Sequence, residues 1–501
     1  MGLAKPRLFA EVRHTEDWST AQVMLFPTAA FAAFFAVVYC GHWLLRRYRF
    51  GWRYFMLAAS IFFYGQWNWR YVPLLIGSAV VNAFLARTVI EHLGPDRSKT
   101  DLSKRWVRIG VAANLALLGW FKYAGFLSET LINLANAIGW HLDATPLTVR
   151  LPIAISFFTF QGMSYVIDAG RGEYGRPARL LDVMLYISFF PHLVAGPIVR
   201  LSEFLPQLDR RPRTLDVGRA TQLIAGGLFK KVVVASYLAD VIVDKTFAAP
   251  AHASAWEAWL GMYAYAIQIY ADFSGYTDIA IGIALLLGIS FPQNFDSPYR
   301  SLSLQDFWRR WHMTLSRWLR DYLYIPLGGN RHGYNRTLVN LMLTMLLGGL
   351  WHGAAWTFVI WGAIHGGWLV VERIVTKRWH EYRQGVPLLD SRVSQVLRWT
   401  VTFHIVCLAW IFFRAPTFGI ATEYLGALFG PLGSVSFNPV LIGLLIGAVA
   451  VQFMSRDQSR QLQRAWSEMP PIYMGIAFAL ALTVIDTLGP EGVAPFIYFQ
   501  F

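Results

Sequence analysis

Cysteine is almost absent: the 501 residues hold two, Cys40 and Cys407, which excludes a disulfide framework and any Cys-x-x-Cys zinc spacing. Both fall in apolar runs, where a lone thiol behaves as a small buried hydrophobe. No His-Glu-x-x-His occurs, so no metal centre is expected. Charge is scarce as well. Only 15% of the residues are Asp, Glu, Lys or Arg, while 55% are hydrophobic and the mean hydropathy is +0.39; soluble domains carry about 25% charge. Several long stretches have no charge at all, and a run of ~20 apolar residues is what a helix needs to cross ~30 Å of hydrocarbon. The bulk of this chain belongs in lipid.

The net charge of +14 does not indicate nucleic acid, because the basic residues sit in short clusters between apolar runs, such as Arg46-Arg47-Tyr48-Arg49 and Arg210-Arg211-Pro212-Arg213. Such clusters hold the ends of spans in the cytoplasm. The stretches 46–53, 97–108 and 456–464 are therefore expected on that side.

Residues 1–21 are polar and of mixed charge, unlike a secretory signal, whose apolar region follows a basic start; residues 1–23 read as an N-terminal extension. Candidate spans follow at 23–45, 55–64, 71–90, 109–127, 151–167, 180–198, 222–243, 256–269, 279–289, 338–371, 399–413, 440–453 and 472–488. The pair 55–64 and 71–90 has the form of a hairpin, with Trp67, Trp69 and Tyr71 at the interface between them. The fold class is all-α: a polytopic transmembrane helical bundle of about ten to twelve crossings by the ~20-residue criterion. Several spans are short or interrupted by Gly, Pro and polar residues, and broken or re-entrant helices survive only where protein or a water-filled cavity surrounds them. A central cavity is expected.

The uncharged stretch 337–371 is ~35 residues, or ~52 Å as one helix, too long for a single crossing. It must break, and Gly348-Gly349-Leu350-Trp351-His352-Gly353 supplies the conformational freedom. That sets His352 at a break between membrane segments. An ionisable residue there points to function, and imidazole titrates nearest to neutrality, as a general base requires. A neutral histidine can equally hydrogen-bond between helices, the role expected of His42, His365 and His404.

Residues 294–336 alternate basic and aromatic side chains too closely for an ordinary span. They suit an interfacial helix, with arginines on phosphates and tryptophans at the acyl boundary, or a cationic path for an acidic carrier or phosphate-bearing donor. His312, Asp306 and Asp321 are the titratable candidates on it, with Tyr322 alongside. His192, beside Pro191 and near Gly196-Pro197, can be a polar group of the cavity or belong to a kinked packing helix. Gln268, Asp272, Ser274, Tyr276 and Asp278 can build a cavity hydrogen-bond network or serve packing alone.

Phe307-Trp308-Arg309-Arg310-Trp311-His312-Met313-Thr314-Leu315-Ser316-Arg317-Trp318-Leu319-Arg320-Asp321-Tyr322 and its continuation to Arg331 closely resemble the signature of the membrane-bound O-acyltransferase (MBOAT) family. Within that family the segments Leu151-Pro152-Ile153-Ala154-Ile155-Ser156, Phe189-Phe190-Pro191-His192, Gly227-Leu228-Phe229-Lys230-Lys231 and Gly349-Leu350-Trp351-His352-Gly353 look like the bacterial AlgI-like alginate O-acetylation branch, related to the D-alanyl transfer protein DltB. Five motifs in order are a specific match, covering roughly residues 24–370.

The resemblance implies one transmembrane domain over 24–501, with its signature region at 151–370, in the inner membrane. It implies His352 as the catalytic histidine and His312 as the second polar position, with His312 or a neighbouring donor orienting the acyl carbonyl or stabilising the oxyanion. Arg309, Arg317, Asp321, Tyr322, His192, Gln268 and Asp272 are the expected substrate-binding residues. No bound cofactor is implied; the acyl donor is expected to be acetyl-CoA or an acyl carrier, and the partners to be the lipid membrane and extracytoplasmic polysaccharide-acetylation proteins. Two other classes suit the residues. A transporter also uses broken helices, although it would show two related halves, which are not evident; a non-catalytic scaffold of a polysaccharide-modifying complex would not need both histidines.

Overall fold

The computed structural model describes residues 24–194, 196–209, 214–383, 391–433, 438–489 and 496–497; the expected N-terminal extension and the Arg210–Arg213 cluster lie outside them. Among the described residues the regular structure is all helical, with no strand. Six helical runs are long and apolar enough to cross a membrane: Arg49–Glu91, Asp101–Ala137, Ala255–Leu286, Trp356–Arg378, Arg392–Arg414 and Pro471–Leu488. A bent pair, Pro439–Gln452 with Asp457–Ser467, turns by 100°. This is fewer than ten to twelve, for two physical reasons. The 43-residue Arg49–Glu91 run holds two segments either side of a 3-10 turn at Trp69–Tyr71. Helices such as Ala29–Leu45, Ile155–Gly170 and Val217–Leu228 are too short to qualify alone.

The contacts sort the chain into two ends. At one, Arg49 and Arg53 pair with Asp209, Gly172 lies against the backbone of Arg97, and Arg171 donates to the carbonyl of Asp321 at 2.6 Å. The 46–53 and 97–108 clusters thus share an end with the basic signature segment. At the other, Tyr71 donates to the carbonyl of Arg150 at 3.3 Å and packs edge-on against Phe121 at 6.5 Å. Both ends of the Arg49–Glu91 run therefore lie on the basic side with the Trp69–Tyr71 turn opposite, as a hairpin requires.

One expectation is corrected. The spans at 256–269 and 279–289 are a single 32-residue helix, Ala255–Leu286, started by a capping box between Ser254 and Glu257. Its polar middle is paired, so it needs no break: Asp272 meets Lys231 and Asp278 meets Lys230, both from the π-helical segment Phe229–Ala235. The two helices approach at Gly227 and Gly275, where a Cβ on either would come within 2.6 or 2.7 Å of the other's carbonyl oxygen. Only glycine permits that approach. Wide π-turns, which favour functional sites, also occur at Gly119–Tyr123 and Arg320–Tyr324.

Candidate active site

The uncharged stretch does break, and it breaks immediately after His352. Tyr334–His352 and Trp356–Arg383 are separate helices joined at Gly353–Ala355. Gly348 and Gly349 stay helical. At Gly349 a Cβ would stand 2.3 Å from the carbonyl oxygen of Phe358, and at Gly362 one would stand 2.5 Å from that of Met345, so the hairpin closes backbone against backbone.

His352 is the last residue of its helix, where carbonyls lack intrahelical donors. The π-helical turn Gly119–Tyr123 supplies them. Lys122 Nζ donates to the carbonyl of Trp351 and, at 3.0 Å, to that of His352, while the Tyr123 hydroxyl donates to Leu350 at 2.7 Å. A cation at a helix C-terminus also complements the helix dipole. The imidazole, 4% exposed, is enclosed by rings: Trp351 and Trp361 each at 5.0 Å and Phe413 at 5.3 Å.

His312 reaches the same place from the signature segment. Its ring lies 6.3 Å from that of Trp351 and 4.7 Å edge-on from Phe273, and it is fully buried. Its backbone is left-handed, φ 41°, just before the helix Met313–Leu319, a conformation that costs energy for a residue with a Cβ. Asn294 holds it there: its carbonyl accepts from Met313 N at 2.9 Å, and its side-chain Oδ1 accepts from Thr314 N at 3.2 Å. The two histidines thus flank Trp351, whose Nε1 has no hydrogen-bond partner among the described residues.

A cavity of about 1360 Å³ opens beneath this pair, lined by Arg309, Arg317, Arg320, Arg373, Lys377 and Arg398 among others. It reaches Trp308, Met313, Thr314 and Met345. His352 is seven residues beyond Met345, ~10 Å at 1.5 Å per residue. Its basic rim belongs to the end that carries the 46–53 and 97–108 clusters.

The other sequence candidates lie as follows. Arg309 and Arg317 line the cavity, Arg317 in a bidentate pair with Glu203 at 2.6 and 3.0 Å. Asp321 is paired with Arg200 and Arg320, and Tyr322 donates to Asp168 Oδ2 at 2.5 Å; the two tie the signature segment to its neighbours, away from the histidines. Asp306 pairs with Arg310 at 3.0 Å. His192 faces the carbonyl of Tyr186 at 2.9 Å among Phe189, Phe204 and Phe291. Asp272 accepts from the backbone of Ile497 at 2.9 Å besides pairing with Lys231, and Gln268 is on the same helix with its Oε1 unpartnered among the described residues. His42, His365 and His404 bond between helices as expected, to Trp52, Trp308 and Tyr263. Lys122, Tyr123, Asn294 and Glu372, whose carboxylate accepts from Leu304 N and Gln305 N at the start of the Leu304–Trp308 helix, escaped the sequence reading. A lysine alone in an apolar run was the one available signal.

Residues 154–413 match the model of the membrane-bound O-acyltransferase family, MBOAT. The "Probable alginate O-acetylase AlgI" of Pseudomonas putida is 37% identical, covering 95% of this chain and all of that protein. The "Peptidoglycan O-acetyltransferase" of Helicobacter pylori is 39% identical over 81% of this chain and 80% of its own length. The "Teichoic acid D-alanyltransferase" of Bacillus subtilis is 29% identical over 53% and 69%. With its helical bundle, and with His352 and His312 brought together across Trp351, the chain belongs to the membrane-bound O-acyltransferase family and is a multi-pass membrane O-acetyltransferase.

Proposed function

We propose that the protein takes an acetyl group from a phosphate-bearing thioester donor, acetyl-CoA or an acyl carrier, on the cytoplasmic side of the inner membrane. It passes the group toward an extracytoplasmic polysaccharide hydroxyl, with partner proteins completing the transfer. One observation carries the reading: a large cavity rimmed by arginine and lysine opens at the end holding the basic clusters and stops close to two buried histidines. Guanidinium groups match phosphate geometry, and basic clusters favour the cytoplasm. The polysaccharide class rests on the alginate and peptidoglycan acetylating relatives; alginate is the leading acceptor.

In the transfer, His352 removes the proton from the attacking hydroxyl as its oxygen bonds to the acyl carbon. The carbon–sulfur bond then breaks, and the departing thiolate takes the proton back from the imidazolium. The acyl donor is a substrate, and the scheme uses no resident cofactor. The Lys122 clamp fixes the helix end that carries the base, and the surrounding rings exclude the water that would otherwise hydrolyse the thioester.

The test is labelled acetyl-CoA supplied to one face of proteoliposomes holding the protein, with and without polysaccharide and partner proteins. Label should leave the thioester only when the donor is on the face bearing the 46–53 cluster. Equal use from both faces, or none with any thioester, would sink the reading.

A further inference from the structure

The hydrogen bonds around His312 have their directions forced by two backbone amides. Thr314 N can only donate, and it donates to Asn294 Oδ1 at 3.2 Å, so the amide of Asn294 cannot be turned the other way. Ile198 N can only donate, and it donates to Thr314 Oγ1 at 3.0 Å; the Thr314 hydroxyl proton therefore points to its other partner, the same Oδ1, at 2.9 Å. His312 Nδ1 stands 3.1 Å from that oxygen. An acceptor facing it requires a proton on Nδ1. In the neutral ring Nε2 then carries a lone pair and no hydrogen, and Nε2 is buried with no partner among the described residues.

From this we infer that Asn294 is a positioning residue that fixes the tautomer of His312, so that His312 presents Nε2 to the reaction site as a hydrogen-bond acceptor for the incoming sugar hydroxyl. The inference rests on the acetyltransfer reading above and deepens it. It removes neutral His312 from the role of oxyanion donor: its one N–H is already spent on Asn294, and orienting the acyl carbonyl falls to another group. While the sugar is being placed its O–H points to His312 Nε2, and that bond is given up as the proton turns to His352 and the oxygen bonds to the acyl carbon, which selects an alcohol over acceptors that have no O–H to give. The left-handed backbone at His312 belongs to the same device, since Asn294 grips the residues Met313 and Thr314 that follow it.

Among the described residues, no acid or fixed charge contacts the ring. It is faced by Phe273 from the Ala255–Leu286 helix and by Trp351 from the hairpin; the titratable groups beyond Trp351 are His352 and, at that helix end, Lys122. In Asn294→Asp the carboxylate still accepts from Thr314 and His312, but now favours the imidazolium. The acidic limb of the kcat profile should rise by about one to three pH units, with activity regained at high pH. A profile superimposable on the wild type, in a variant of unchanged melting temperature, overturns the inference. Because that variant could fail to fold, the tautomer is also read in the wild-type protein labelled with 15N-histidine, taking the resonances lost in His312→Gln as those of His312. A protonated Nδ1 with a bare Nε2 is expected; the reverse overturns the inference. Persistent transfer by His352→Ala would instead overturn the acetyltransfer mechanism, and leaves the tautomer result readable.

Discussion

The ammonium of Lys122 donates at 3.0 Å to the carbonyl of His352, 230 residues away along the chain, so a turn of one helical run sets the end of another. Lys122→Met should lower kcat by about 10- to 100-fold, the scale expected when a base is misplaced by an ångström. The KM for donor should stay unchanged, since Lys122 is not on the cavity wall. Lys122→Arg should recover part of the loss. Steady-state kinetics on each variant, with its melting temperature, checks this; a KM effect with kcat intact would be wrong for a clamp.

Removing the imidazole itself separates chemistry from packing. His352→Ala should lose ~10²–10⁴ in rate at normal expression. His365→Ala removes the bond from Trp308 Nε1, 3.3 Å long, and the ring's packing on Trp361 at 4.6 Å, but no base, and interhelical bonds in membrane bundles contribute about 0.6 kcal/mol on average. It should keep most activity. Equal loss in the two variants would mean that the rings around His352 matter more than the base.

Arg309 and Arg317 line the same cavity but differ in what they hold. Arg317 is engaged with Glu203, whereas Arg309 is exposed at the wall, where the proposed phosphate-bearing donor would meet its guanidinium. Arg309→Ala should raise the donor KM about tenfold, equivalent to ~1.4 kcal/mol, with kcat held. The effect should shrink as salt is added, because exposed charges are screened. A salt-independent change would point to packing.

Asp272, expected as a substrate ligand, is buried against Lys231. Asp272→Ala leaves the ammonium without its carboxylate and should destabilise the protein by about 3–5 kcal/mol, whereas a combined Lys231→Met and Asp272→Leu change should be close to neutral. Thermal unfolding in detergent distinguishes these. If Asp272→Ala unfolds like the wild type but has a raised KM, Asp272 is a ligand after all.

The break after His352 could be read from composition because an uncharged run of that length cannot cross the bilayer once. The Ala255–Leu286 helix could not. Its polar residues look like interruptions until Lys230 and Lys231 are seen opposite them, and those partners lie some forty residues earlier. Crossing number turns on the same packing, since helices such as Ala29–Leu45 and Ile155–Gly170 are too short to qualify by length alone. His312 and His352 were recognisable by motif, but Lys122 and Asn294 act through backbone carbonyls and amides distant in sequence, which no local pattern encodes.

The cavity ends at Trp308 and Met313, and above it Trp351, Trp361, Trp410 and Phe413 lie ring against ring, Trp361 being 5.8 Å from Trp410 and 5.5 Å from Phe413. Among the described residues, the faces that these rings turn to one another are apolar. On the reading proposed above, an acetyl group that entered by this basic cavity would pass His352 by exchange of a covalent bond rather than by diffusion, so that the mouth need not open onto a pore.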